Sequence, residues 1–369
     1  MRRTIRLTIE FLFLSLVLSI AATASTADPA NGGGSLPVPA HIKFLAQHLQ
    51  FLSADGITHF RYVDNNPGKV TARDLYYKIS TLVQINLVGE GTTYLQARGE
   101  SGRSFSASYD YTGIGLHQRY WSFNLKSLFM GQKIGHHLEA QAGGIEYDWG
   151  VGTEATYADN DGWLEGYRLR YAGAGRGFLP DKVSATVGYA GDFLQPNTFA
   201  RLHRMGDENY VQILAVKKLG KTRDASAEFD SLQSIRYTRE AFRWQKLPVP
   251  IAPDLVLEAI TRASDDRTFG WSGNLARNLD KKGHLRPGVF YCDMPKGIFL
   301  NGKEQVLLNG DSYVLGKRIG PTMRIQVFRN FEVNLFGSRR LDNTPGPRYR
   351  GQVGIRYQFA DLLRSALRK

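Results

Sequence analysis

The sequence contains one cysteine, Cys292, so no internal disulfide can staple the chain and its stability must come from backbone pairing and packing. Long apolar runs are missing after the first two dozen residues. No later segment approaches the roughly 20 apolar residues that a membrane-crossing helix requires. A mean hydropathy of -0.31 still leaves a membrane barrel open, because half of each strand in a wide barrel faces water, and lipid contact then shows as alternation. Acidic residues are in deficit: 34 Asp and Glu stand against 47 Lys and Arg, a formal net charge of +13. A basic balance favours acidic partners.

Signatures of chemistry are equally sparse. No G-x-S-x-G elbow occurs, and Ser104 and Ser106 read as part of a hairpin. His59, His117 and His203 have no identifiable Ser partner. No helical pattern follows Gly173-Ala-Gly-Arg-Gly177, which excludes a nucleotide-binding turn. Asp159-Asn-Asp-Gly162 starts like a calcium loop but lacks the downstream bidentate glutamate. His136 and His137 are adjacent, so on a strand they face opposite ways and cannot share a metal with Glu139. The expectation is no catalytic residue, no cofactor, no metal and no nucleic-acid partner.

What is present is an export signal followed by strands. Arg2, Arg3 and Arg6 precede the apolar run Phe11 to Ile20, and Ala22-Thr23-Ala24 is an A-x-A cleavage signature. Residues 1-24 are read as a removed signal peptide, which leaves 44 basic against 33 acidic residues and a net charge of +11. Residues 25-55 read as a Gly- and Pro-rich leader with one short amphipathic helix over His41 to Ser53. From Gly56 to Phe359 the chain is a succession of strand-like runs separated by turn residues, with 39 Gly, 18 Tyr and 20 Phe to supply bulges, turns and interfacial rings.

The clearest runs are two. In Asp74 to Leu87, Leu75, Tyr77, Ile79, Thr81, Val83, Ile85 and Leu87 alternate with a largely polar set. In the closing stretch Gly351-Gln-Val-Gly-Ile-Arg-Tyr-Gln-Phe359, Val353, Ile355, Tyr357 and Phe359 share one face and Gln352, Gly354, Arg356 and Gln358 the other. One face suits lipid and the other water. Arg119–Phe129, Trp163–Tyr171, Val183–Tyr189, Tyr210–Lys217, Ser226–Tyr237, Leu255–Ala263, Leu285–Asp293, Tyr313–Ile319, Met323–Phe328 and Phe331–Arg339 follow the same style. Residues 240-310, with Pro248, Pro250 and Pro253 close together, read as the least regular part, with long loops and one candidate for folding inward. The fold class expected is all-β, a transmembrane antiparallel up-and-down barrel of 14 to 18 strands, with 16 preferred. Residues 360-369 read as a periplasmic amphipathic tail.

If the apolar faces meet lipid, then Lys78, Lys126, Arg168, Arg170, Arg236, Arg262, Arg324 and Arg356 line a basic lumen. Rings of Arg and Lys in a pore stabilise anions and repel cations. The competing reading pairs these cations with inward Glu139, Glu228 and Glu258, or places basic residues on loops that meet lipopolysaccharide phosphates. Trp121, Trp149, Trp163, Tyr171 and Tyr189 near strand ends suit an interfacial girdle, with stacking of sugar rings as the other use.

Phe60-Arg-Tyr-Val-Asp64, the strand over 74-87, Gly143-Gly-Ile-Glu-Tyr147, Asp159 through Tyr171 and the closing strand together resemble porin-like outer-membrane barrels of the alginate-export family. The resemblance implies a monomeric barrel whose arginine-lined lumen conducts an anionic polysaccharide. One departure is the tail after Phe359, where such barrels end on the aromatic. The expected function is passive, anion-preferring diffusion of small anions or acidic oligosaccharides across the bacterial outer membrane, with membrane lipid and lipopolysaccharide as surroundings and monomer or trimer left open. Alternatives are an outer-membrane barrel enzyme such as an acyl hydrolase, and a secreted soluble carbohydrate-binding protein.

Overall fold

The computed structural model describes residues 48–65, 70–88, 91–103, 123–152, 164–173, 177–191, 197–232, 235–249, 251, 253–263, 268–295, 316–343 and 348–367. The stretch read as a signal peptide (1–24), the leader up to residue 47, Trp121, Trp163 and Asp159 to Gly162 lie outside these. Sixteen strands follow in chain order: β1 (Leu49–Asn65), β2 (Val70–Val88), β3 (Thr93–Arg103), β4 (Phe123–Ile134), β5 (Leu138–Ile145), β6 (Leu164–Ala172), β7 (Lys182–Ala190), β8 (Tyr210–Lys218), β9 (Arg223–Leu232), β10 (Ile235–Trp244), β11 (Asp254–Ala263), β12 (Thr268–Ala276), β13 (Leu285–Met294), β14 (Gly316–Phe328), β15 (Phe331–Arg340) and β16 (Tyr349–Gln358). Each pairs antiparallel with its sequence neighbours, and β1 pairs with β16 to close the barrel, so no edge strand is left. No described helix is long and apolar enough to cross a membrane.

Period-two alternation decides the two faces. On β6, Tyr167, Leu169 and Tyr171 are exposed while Arg168 between them is buried. The neighbouring strands agree: Leu169 (50% exposed) and Ile213 (51%) lie outward, whereas Ser184, Thr186 and Gln212 on the inward parity are at most 2% exposed. Directly opposed residues share a face, so the registers carry this assignment round the whole wall.

Several sequence expectations change. His41 to Ser53 is not one helix, because β1 already begins at Leu49, seven residues before Gly56. Residues 240-310 are regular over most of their described length, holding β11, β12 and β13 and the end of β10. Tyr313–Ile319 and Met323–Phe328 merge into β14, which carries Pro321 in a stretch where the β14–β15 register skips two residues and needs no ladder N–H. Ser226–Tyr237, read as one strand, is a hairpin of β9 and β10 with Leu232 facing Ile235.

Close approach of backbones explains one row of glycines. Gly143, Gly166 and Gly188 oppose one another across β5, β6 and β7 on the inner face, between Phe129 and Tyr210. A Cβ on Gly166 would sit 2.2 Å from the Val187 carbonyl oxygen, and backbone cannot step aside. Gly166→Ala is expected to destabilise the barrel by about 1–3 kcal/mol, read as a lower temperature for loss of the fast-migrating folded band in detergent gels.

An outward carboxylate, Glu165, interrupts the apolar face of β6, and the structure accounts for it. Helix α1 (Thr198–Arg201), capped by Asn197 Oδ1 accepting from Phe199 N at 3.1 Å, folds against the outer wall. Thr198 Oγ1 donates to Glu165 at 2.6 Å, Arg201 Nη2 lies 3.0 Å away, and Glu165 is fully buried. Next to it Arg204 stacks over the outward Tyr189 ring, 4.3 Å from its centroid. At the other end of the barrel, helix α2 (Ala360–Leu367) docks on β1: Arg364 donates to the carbonyls of Phe51 (2.8 Å) and Leu52 (3.0 Å), and Leu363 packs over Phe51 and Val83.

Candidate functional site: the inner wall

Charge is distributed unevenly round the inner face. The registers place Arg286 (β13), Arg318 and Arg324 (β14), Arg340 (β15) and Arg350 and Arg356 (β16) inward, six arginines against one inward carboxylate, Glu332, on the same four strands. Two pairs, Arg286 with Arg324 and Arg318 with Arg340, stand directly opposite one another across neighbouring strands. Opposed like charges cost free energy, and here counter-charges come from adjoining strands: Arg286 meets Asp254 at 2.9 Å and Arg356 meets Asp55 at 3.0 Å. Arg324 lies 3.8 Å from Glu332. Arg324 and Arg356 keep 43% and 42% of their side chains accessible, so they meet water while still partnered.

The other wall is more nearly neutral and more deeply covered. Arg239 Nη1 donates to both Glu228, at 2.9 Å, and Asp230, and all three are buried. Toward the end of the barrel where the 146–163 and 191–209 connections lie, the inward residues become apolar: Ile145, Leu164, Leu232, Ile260 and Met294 form one buried cluster with Tyr147, Tyr210 and Tyr237. The inner face at that end is therefore packed, and the water-accessible inner surface lies nearer the short-turn end.

After β5 the chain turns inward. Residues 146–152 run along the inside of β6 to β9, held at every step. Arg168 Nη2 donates to the Glu146 carbonyl at 2.5 Å, and the Glu146 carboxylate pairs with Arg98. Asp148 accepts from Arg170 at 3.1 Å and Lys182 at 2.5 Å, and its carbonyl accepts from Gln212 Nε2 at 2.9 Å. Ser226 Oγ accepts from Val151 N at 2.9 Å and donates to its carbonyl at 3.3 Å. Tyr147 packs edge-on to Tyr210, 5.4 Å between centroids. Burial pushes the Asp148 carboxyl up, but Arg170, Arg168 and Lys182 outweigh it and hold it well below the usual carboxylate range. A depressed folded pKa stabilises the segment at every pH above the ordinary carboxylate value and is lost only in stronger acid.

Gln212→Ala combined with Ser226→Ala removes the bonds from β8 and β9 to the segment, at about 1 kcal/mol each. The expected result is loss of the fast-migrating folded band at a lower urea concentration, a destabilisation of about 2 kcal/mol in all.

The eight candidate cations fall as follows. Lys78 and Lys126 face inward and share Glu100, at 3.5 and 3.8 Å. Arg168 and Arg170 face inward and anchor the 146–152 segment, Arg170 also meeting Glu139 at 3.8 Å. Arg262, opposite the inward Tyr237, and Arg324 and Arg356 are on the inner face. Arg236 is a correction: it lies on the outer face. Leu232 and Ile235 oppose one another across the β9–β10 turn, so parity slips by one and Tyr237 and Arg239, rather than Arg236, point in. Trp149 is a second correction, since it belongs to the inward segment and packs on the inner cluster, away from any girdle. The inward-folding loop lies at 146–152, before the 240-310 stretch. Among the described residues no three His, Cys, Asp or Glu side chains gather as a metal site.

This closed antiparallel wall of sixteen strands, apolar outside and with a chain segment tucked inside after its fifth strand, has the fold of solved porin structures. Solved structures share that fold: two variants of the Rhodopseudomonas blastica porin match with TM-scores of 0.55 and 0.52, each at 8% identity, covering 84% of this chain and 100% of theirs. A third structure, described as concerning asymmetric conductivity of engineered proteins, matches with a TM-score of 0.51 at 8% identity over the same shares. No family model matches this sequence, and no curated protein sequence matches it.

Proposed function

We propose that this chain is a passive diffusion channel of the bacterial outer membrane that favours anions. The observation that carries the reading is the inner face of β13–β16, where six arginines face one glutamate and Arg324 and Arg356 are wetted. A fixed positive strip in a hydrated passage raises local anion concentration and repels cations. The 146–152 segment narrows the passage from the opposite wall and sets the size limit. A strand-built wall with large apolar side chains outside suits hydrocarbon, and the fold it shares with a porin supports that placement. The mechanism needs no catalytic residue and no cofactor.

The transported solutes are small anions. Acidic oligosaccharides, which the sequence resemblance to alginate-export barrels suggests, are the larger members of the same charge class, and the inward segment is the feature that would limit them. Protein refolded into a planar bilayer under a potassium chloride gradient is expected to give a reversal potential on the chloride side. A potential on the potassium side would reject the anion preference, and no conductance at all would reject the channel. Liposome swelling with acidic sugars of increasing length then places the size limit.

A further inference from the structure

Two phenylalanines interrupt the arginine strip. Phe290 of β13 and Phe336 of β15 face inward and stack, with ring centroids 5.0 Å apart and planes 23° from parallel. Between their strands lies Gly320 of β14, which opposes Phe290. A Cβ at Gly320 would fall 2.9 Å from Phe290 Cε1 and 1.8 Å from the Gly337 carbonyl oxygen, so the missing side chain is what lets the two rings close over β14. Both rings are only half-buried. Phe290 also packs on the inner apolar cluster, and the aromatic surface that stays accessible is unfavourable in water, so a flat apolar group that covers it gains free energy.

Arginines bracket this platform along the barrel axis. Thr322 opposes Phe336, and Arg324 is the next inward residue on β14; Arg286 opposes Arg324, and Arg356 stands one inward position further along the wall on β16. On the other side of the rings stand Arg318, Arg340 and Arg350. Same-face diagonal neighbours on paired strands lie about 7–8 Å apart, the span between the ring and the carboxylate contacts of a compact aromatic acid. An anion placed at Arg324 would also relieve the directly opposed Arg286–Arg324 pair. Polar groups at the platform's edge, Gln352 opposite Phe336 and His59 beside Gly354, complete a surface with one apolar face and a cationic rim.

We propose that this tier is a solute-binding site for monovalent organic anions carrying a flat apolar ring, of the aromatic carboxylate class, and that it makes the channel favour them over smaller anions of equal charge. The proposal rests on the anion-channel reading and specifies its substrate class. The rings take the ring face and Arg324, with Arg286 or Arg356, takes the carboxylate.

Bi-ionic reversal potentials with the full-length refolded protein test it, using potassium chloride on one side and potassium acetate or potassium benzoate on the other. Benzoate is the larger and slower ion, so a plain charged pore passes acetate better. The site predicts that benzoate permeates at least as well as acetate, and that added benzoate lowers the chloride conductance saturably. Phe290→Leu with Phe336→Leu keeps the apolar filling and removes the rings; it should lower the benzoate-to-acetate ratio by about two- to tenfold and leave chloride favoured over potassium. Acetate exceeding benzoate without any block in the unaltered channel would overturn the site, as would an unchanged ratio in the double variant. In either case a retained chloride preference leaves the channel reading standing. Loss of anion preference in the unaltered channel would overturn both.

Discussion

Replacing Arg324 and Arg356 together by glutamate is expected to turn the proposed anion preference into a preference for cations. A monovalent ion passing about 5 Å from one charge in a water-like dielectric feels roughly 0.8 kcal/mol. Reversing a charge doubles that change, so two reversals raise the energy of an anion by about 3 kcal/mol and lower that of a cation by as much, before screening. A Debye length of about 10 Å at 0.1 M salt leaves most of the effect at this range, and a shift of at least about tenfold in the chloride-to-potassium permeability ratio follows, since each tenfold corresponds to about 1.4 kcal/mol. Both side chains are more than two-fifths accessible, so the barrel should tolerate the change. New repulsion against Glu332 and Asp55 is the local cost. The double glutamine variant supplies the control, with about half the shift. An unaltered permeability ratio in both variants would show that the arginine strip does not face the conducting path.

The largest effect on stability is expected at Arg239. Its guanidinium serves two buried carboxylates, Glu228 and Asp230, and Glu228 also accepts from Gln212 Nε2 at 2.9 Å. Gln212 in turn holds the Asp148 carbonyl. Arg239→Met would leave two buried carboxylates without their cation, which typically costs about 3–5 kcal/mol. Adding Glu228→Gln and Asp230→Asn removes the uncompensated charge and should recover much of that loss. Urea titration of the refolded barrel, followed by the fast-migrating band, reads both. If the single variant unfolds at the same urea concentration as the parent, the network has no stabilising role.

Much of this architecture is legible in the chain. The alternation in 74–87 falls on β2 and that in 351–358 on β16, with Ile79, Val353 and Tyr357 outward, and the barrel closes on the preferred count of sixteen strands. Period two is a strong signal wherever one face is uniformly apolar, as on β6 with Tyr167, Leu169 and Tyr171. It fails where both faces carry apolar residues. Leu164, Leu214 and Ile260 face inward into packed interior, and a rule that equates apolar with lipid misplaces them.

Parity is also fragile at tight turns. Gln233-Ser234 carries no Gly or Pro, so nothing marks a hairpin between β9 and β10, and the slip of one residue exchanges Arg236 for Arg239. The inward segment was invisible for a different reason: Glu146, Asp148 and Val151 are held by Arg98, Arg170, Lys182 and Ser226, partners from four other strands. Long-range pairings of that kind leave no local periodicity. Glu165 breaks the apolar face of β6, and the break has its cause in the outer clamp by Thr198 and Arg201.

The account depends on two-sidedness of the wall, and neighbouring positions on one strand test it most directly. In a Cys292→Ser background, single variants Gln352→Cys and Val353→Cys are reconstituted into liposomes and exposed to a charged, water-soluble thiol reagent. Gln352 is on the inner face and Val353, 38% exposed, on the outer. The thiol at 352 should react readily while that at 353 stays protected by lipid. Equal reaction at both positions, or faster reaction at 353, would contradict the assignment of faces and with it the channel.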